Sequence, residues 1–179
     1  MNPREWLSDW WNGGEPFEAP SQTMFLGFTA GLVLFAIVVA SFDFVPVLDH
    51  VNLAFHESGH LLFRILGETM SLYGGTLMQF VFPTVTAIHF AHRGQTLSAA
   101  ACAAWFCENF RYTAHYMADA RVQQLPLVGG GEHDWFNIFS RWGALESDTR
   151  IAGLFEFLCW AGLVAIWFVV WRIPRNANG

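Results

Sequence analysis

Residues 24 to 42, MFLGFTAGLVLFAIVVASF, contain no ionisable side chain, and residues 151 to 174, IAGLFEFLCWAGLVAIWFVVWRIP, contain only Glu156 before Arg172. A helix rises about 1.5 Å per residue, so crossing the hydrocarbon core of a bilayer takes about 20 apolar residues. Each stretch meets that requirement and predicts a transmembrane helix. Two such stretches confine the fold to helices, because inside a bilayer each backbone N–H and C=O must find a partner within its own segment. Composition agrees: 54% of the residues are hydrophobic and 13% charged, about half the charged share of a soluble domain.

Three further apolar stretches carry polar residues. Residues 50 to 66 hold HESGH, residues 72 to 91 hold a glycine pair, Gln79 and Pro83, and residues 96 to 119 hold Glu108, Asn109, Arg111, His115 and Asp119. The expected fold class is all-α: a polytopic membrane helix bundle of about four to five membrane helices, one of them the HExxH helix, with interfacial amphipathic helices. Residues 1–23 read as an acidic, Trp-rich segment with Trp6, Leu7, Trp10 and Trp11 at helical spacing, placed at the headgroup layer or else an unstructured tail. Residues 24–174 read as one transmembrane helical domain, with a surface helix over about 134–145 capped by Asp134, and 175–179 as a tail. The arginines are spread over several connections and give no single orientation by the positive-inside rule. The expected location is a bacterial-type cytoplasmic membrane, as a multi-pass integral protein.

Charge excludes one class of partner. All nine basic residues are arginine and the formal net charge is -6, so no lysine-rich patch tracks a nucleic-acid backbone. The bilayer is the expected surrounding, with a transmembrane-protein substrate or partner subunits. Cys102, Cys107 and Cys159 lie in apolar runs without CxxC spacing and read as small core residues.

The chemistry concentrates in VNLAFHESGHLLFRILG, residues 51 to 67. Residues four apart share a helix face, so His56 and His60 can point ring nitrogens at one ion while Glu57 stands beside that face. Two neutral nitrogens suit zinc, and the carboxylate is placed to take a proton from an activated water. The competing reading is a pair of polar residues joining membrane helices. Asn52, at i−4 from His56, is an expected outer partner. A further ligand has several sources. His115 and Asp119 end a polar stripe that begins with Glu108 and Arg111, which themselves read best as a self-neutralising pair between helices. His133 and Asp134 follow three glycines; the plainer account makes Asp134 a helix cap and His133 a surface residue. His89, His92 and Arg93 read as interfacial residues without a catalytic role.

With HESGH on one apolar helix and a glycine-containing helix next, residues 50 to 121 resemble the site-two-protease-like intramembrane zinc metalloproteases. GGTLMQ, residues 74 to 79, looks like the family's GPLxN-like element with Gln79 where asparagine is usual. NFRYTAHYMADAR, residues 109 to 121, looks like its NxxPxPxLDG-like element, with Asn109 in the asparagine position and Asp119 in that of the ligand. The proline-rich run is missing, the Asn-to-Asp spacing is longer, and no PDZ-like module is present. The resemblance implies one zinc per chain on His56, His60 and Asp119, with His133, Asp134 and His115 as alternatives, and Glu57 as the base in hydrolysing a peptide bond of a membrane-embedded substrate. Gln79, Glu108, Asn109 and Arg111 would line or hydrate the cavity. Two other functions fit the same residues: a non-catalytic or metal-binding structural subunit of a larger membrane complex, and a metal enzyme acting on a lipid or small hydrophobic molecule.

Overall fold

A computed structural model describes residues 13–128 and 132–175. The expectations for the Trp-rich stretch of residues 6–11, the triple glycine at 129–131 and most of the tail fall outside these residues. Among the described residues the chain is all-helical, with six α-helices and no β-strand: α1 Gln22–Ser41, α2 Leu48–Phe63, α3 Glu68–His92, α4 Thr96–Ala118, α5 Asp134–Trp142 and α6 Asp148–Arg172. Short 3₁₀ turns, Arg64–Leu66 and Leu145–Ser147, follow α2 and precede α6. Two helical stretches, α1 and Leu145–Arg172, are long and apolar enough to cross a membrane, and few of their side chains are buried within the protein. By that measure the structure supports two of the four to five crossings expected.

The helices are placed by small residues. α3 lies between α2 and α4, and α4 lies between α3 and α6, with α1 against α4 and α6. At the α2–α3 contact the two backbones nearly touch: a Cβ on Gly59 would stand 2.2 Å from the Gly74 carbonyl oxygen, and one on Gly74 would stand 2.7 Å from that of Gly59. No larger residue fits at either position without moving a helix. On the other side of α4, Gly162 of α6 accommodates Cys107, whose Sγ would be 2.4 Å from an added Cβ. Cys107 and Cys159 are buried and all three thiols are free, in keeping with a packing role.

α5 differs from the expected surface helix in what it covers. Its apolar stripe of Trp135, Ile138 and Phe139 is buried against Ala114, Met117 and Ala120 at the end of α4 and Ala152 of α6. A strongly amphipathic helix has two possible apolar partners, lipid or protein. Here the small residues at the end of α4 leave room for the aromatic rings, and each large side chain so buried contributes about 1.5–3 kcal/mol. This packing brings the N-terminus of α5 against the polar faces of α2 and α4.

Candidate metal centre

The α2 helix presents Asp49, Asn52, His56 and Gly59 as its buried positions, a spacing of three and four that marks one face. On that face the His60 Nδ1 lies 2.8 Å from the Ser71 carbonyl oxygen of α3. A carbonyl only accepts, so Nδ1 carries the hydrogen and Nε2 of the neutral ring carries a lone pair. The His56 Nδ1 lies 3.2 Å from Gln79 Oε1, and the amide nitrogen of Gln79 donates to Thr113 Oγ1 at 2.6 Å. Both histidines therefore have their Nδ1 atoms held by α3, and both Nε2 atoms point the same way.

Asp134 meets them. Its Oδ2 lies 2.8 Å from His56 Nε2 and 3.1 Å from His60 Nε2. Lone pairs that face a carboxylate oxygen repel unless a cation stands among them, either extra protons on the rings or a metal ion. The ligand atoms of His56, His60 and Asp134 lie within 4.8 Å of one another, a cluster able to hold a metal. Two imidazole nitrogens and one carboxylate oxygen, each ring braced through its other nitrogen, are donor types that zinc sites use. Gly75 supplies the room: a Cβ there would stand 2.6 Å from both Nε2 atoms.

The way α5 begins explains why Asp134 is free to do this. The N-cap is His133, whose Nδ1 accepts from Phe136 N at 3.2 Å, and Asp134 is the first helical residue. The sequence expectation had Asp134 as the cap and, in its plainer form, His133 at the surface. Instead His133 is 2% exposed, and burial holds its imidazole below the ordinary value, consistent with a neutral ring that accepts through Nδ1. Burial alone would raise the Asp134 carboxyl, but when the rings of His56 and His60 carry the extra protons their hydrogen bonds outweigh it and hold the group below the usual carboxylate range. The Asp134 N–H donates to Tyr116 Oη at 3.1 Å.

The cluster opens into a cavity of about 980 Å³ whose lining includes Glu57, Tyr112, His115, Tyr116 and the apolar run Leu125, Pro126, Leu127 and Val128. Glu57 thus shares a compartment with the three ligand atoms. His115 lines the cavity without joining the cluster.

The other expected residues are placed as follows. Asp119, first choice as third ligand, is outside the converging set: its carboxylate accepts from Gln124 N at 2.8 Å and Leu125 N at 3.0 Å. Asn52 turns away from the histidines, donating to Asp49 Oδ1 at 3.1 Å and Glu108 Oε2 at 2.8 Å and accepting from Trp105 Nε1 at 2.7 Å. Arg111 does not form the expected pair with Glu108. It donates to the Phe42 carbonyl at 2.9 Å and approaches Glu156 and Asp43 at 3.9 and 4.0 Å. Asn109 is buried and its amide nitrogen donates to the Trp105 carbonyl. Sequence reasoning missed Ser71, Gly75 and Tyr116. The glycine pair was a visible signal for Gly75, whereas Ser71 acts through its backbone carbonyl and leaves no trace in residue type.

Among the described residues, fold and site together define an all-helical arrangement with two membrane-length apolar helices and a His–His–Asp cluster able to bind metal. No protein-family model matches the chain, and neither a curated protein nor a solved structure is similar to it.

Proposed function

We propose that this chain is a multi-pass membrane metallohydrolase that uses zinc held by His56, His60 and Asp134, and that it is a peptidase acting on a membrane-embedded substrate. The observation that carries the reading is the convergence of two histidine Nε2 lone pairs and the Asp134 carboxylate beside Glu57 in one cavity. The resemblance over residues 50 to 121 supplies the peptidase assignment.

The multi-pass reading is supported by the direction in which side chains face. α3 and α4, at 25 and 23 residues, are about 37 and 34 Å long, more than the hydrocarbon thickness of about 30 Å. Gln79, Glu108, Asn109 and Thr113 are buried inside the bundle while Val81, Val85 and Ile88 face outward. Water favours the opposite distribution; a bilayer favours this one.

Zinc in such a site supplies Lewis-acid activation of a water and of the scissile carbonyl. His56 and His60 hold their nitrogens in place through Gln79 and Ser71, and Asp134 would offset one of the ion's two positive charges. Glu57 takes the proton of the attacking water and hands it to the leaving amine. Tyr112, His115 and Tyr116 form a polar wall of the cavity, and Leu125–Val128 an apolar one that suits a hydrophobic side chain of the substrate.

The test is metal content by mass spectrometry on protein purified in detergent without chelators, together with the Glu57→Gln variant. The expected result is about one zinc per chain in both, with turnover lost and an uncleaved membrane-protein substrate accumulating in the variant. Wild-type protein without stoichiometric metal would remove the metallohydrolase reading. Wild-type turnover in Glu57→Gln would remove the role given to that residue, and accumulation of a lipid rather than a protein would change the substrate class.

A further inference from the structure

Asp119 and His133 stand at the two ends of the segment that leaves α4 and returns as α5. The Asp119 carboxylate closes the first end by accepting the N–H groups of Gln124 and Leu125. At the other end His133 caps α5 through Nδ1, which leaves its hydrogen on Nε2. That Nε2 has no hydrogen-bond partner although its side chain is fully buried. Asp119 Oδ2 lies 3.4 Å away, an ion-pair distance without a hydrogen bond. An unpaired buried N–H is costly, so its approach to a carboxylate marks a contact that holds two otherwise separate pieces of chain.

Asp134, the residue after His133, brings its carboxylate to the histidines. Tyr116 reinforces the arrangement: its hydroxyl receives the Asp134 N–H and its ring packs on His133 at 4.2 Å and near His56 at 5.9 Å. We infer that Asp119 is a positioning residue: through His133 it sets where α5 begins and so aims Asp134 at His56 and His60. The family resemblance made Asp119 a direct ligand; here it acts through two residues, His133 and Asp134. The inference rests on the metal reading above.

The experiment measures zinc affinity by competition with a chromophoric chelator, the visible absorption of the cobalt-substituted protein, and the melting temperature of the metal-free protein, for wild type, Asp119→Ala and Asp119→Asn. Outer residues of a metal site commonly contribute 10–100-fold in affinity. Asp119→Ala is expected to lose roughly that factor and to shift the cobalt bands while still binding one ion at saturation. Asp119→Asn, whose single amide oxygen can keep one of the two acceptor roles toward Gln124 and Leu125, is expected to fall between the two in affinity and to lower the melting temperature less than Asp119→Ala. Loss of binding stoichiometry in Asp119→Asn would make Asp119 a ligand and overturn the inference. So would wild-type affinity and an unshifted spectrum in both variants. If Asp119→Ala does not fold, Asp119→Asn alone decides on the same criteria. Wild-type protein that binds neither zinc nor cobalt fails the metal reading itself, an outcome distinct from these.

Discussion

The interior holds two polar clusters on neighbouring turns of α2, and they are built to opposite specifications. In the lower one, Asn52 donates to Asp49 and Glu108 and accepts from Trp105, and the second Asp49 oxygen receives the Val45 N–H. The Asn52 amide there uses both its N–H donors and its oxygen on neighbouring side chains, and Asp49, Asn52 and Glu108 are at most 1% exposed. In the upper cluster the rings of His56 and His60 are fixed so that lone pairs confront a carboxylate, and the group opens to a cavity. Both were expensive to bury. An amide with its partners in place fastens helices, whereas the upper group is a cluster able to hold a cation.

The difference can be tested by substitutions that should move one property and leave the other. Glu57→Gln is expected to have the largest effect, a loss of turnover of roughly 10²–10⁴-fold with one zinc still bound, measured by product formation and metal content on the same sample. Gly75→Ala, which places a carbon against both Nε2 atoms, is expected to weaken zinc binding by more than the ~100-fold limit of an outer-shell change, read by chelator competition. Gln79→Leu removes the acceptor for His56 Nδ1 and should cost about 10–100-fold in zinc affinity. Asn52→Ala should do the reverse of all three. It leaves buried groups on α4 unpaired and lowers stability by about 1–3 kcal/mol in a thermal or denaturant melt, with zinc stoichiometry and affinity unchanged. Loss of metal in Asn52→Ala would erase the distinction between the clusters.

The HExxH helix was legible because it depends on local periodicity: the i, i+4 spacing of His56 and His60 survives any tertiary arrangement that keeps the helix. So were the membrane-length apolar helices α1 and α6, which need only length and apolar content. Gln79 was found through its place in a motif, although the motif did not say that its partner would be Nδ1 of His56. The choice between Asp119 and Asp134 was not legible, since it depends on how the chain returns after α4. Nor was the cap of α5. Aspartate is the commoner N-cap and Asp134 precedes an apolar run, but a buried histidine took the position because Asp119 and Tyr116 were there to surround it. Asn52 shows the remaining limit. Its helix face was read correctly, and which neighbour it would meet on that face was decided by Trp105 and Glu108, both far away in sequence.

The close approach of Gly59 and Gly74 also has a mechanical side. At that point no layer of side chains separates α2 from α3, so the spacing of the two helices is fixed there by backbone contact. The His56 and His60 nitrogens are braced by residues of α3, Gln79 and Ser71, and their separation is set without any third donor. Asp134 rides on a different piece, the short α5. Of the three donors it alone comes from outside the α2–α3 pair, so its place beside the rings depends on the packing of Ile138 and Phe139 against α4.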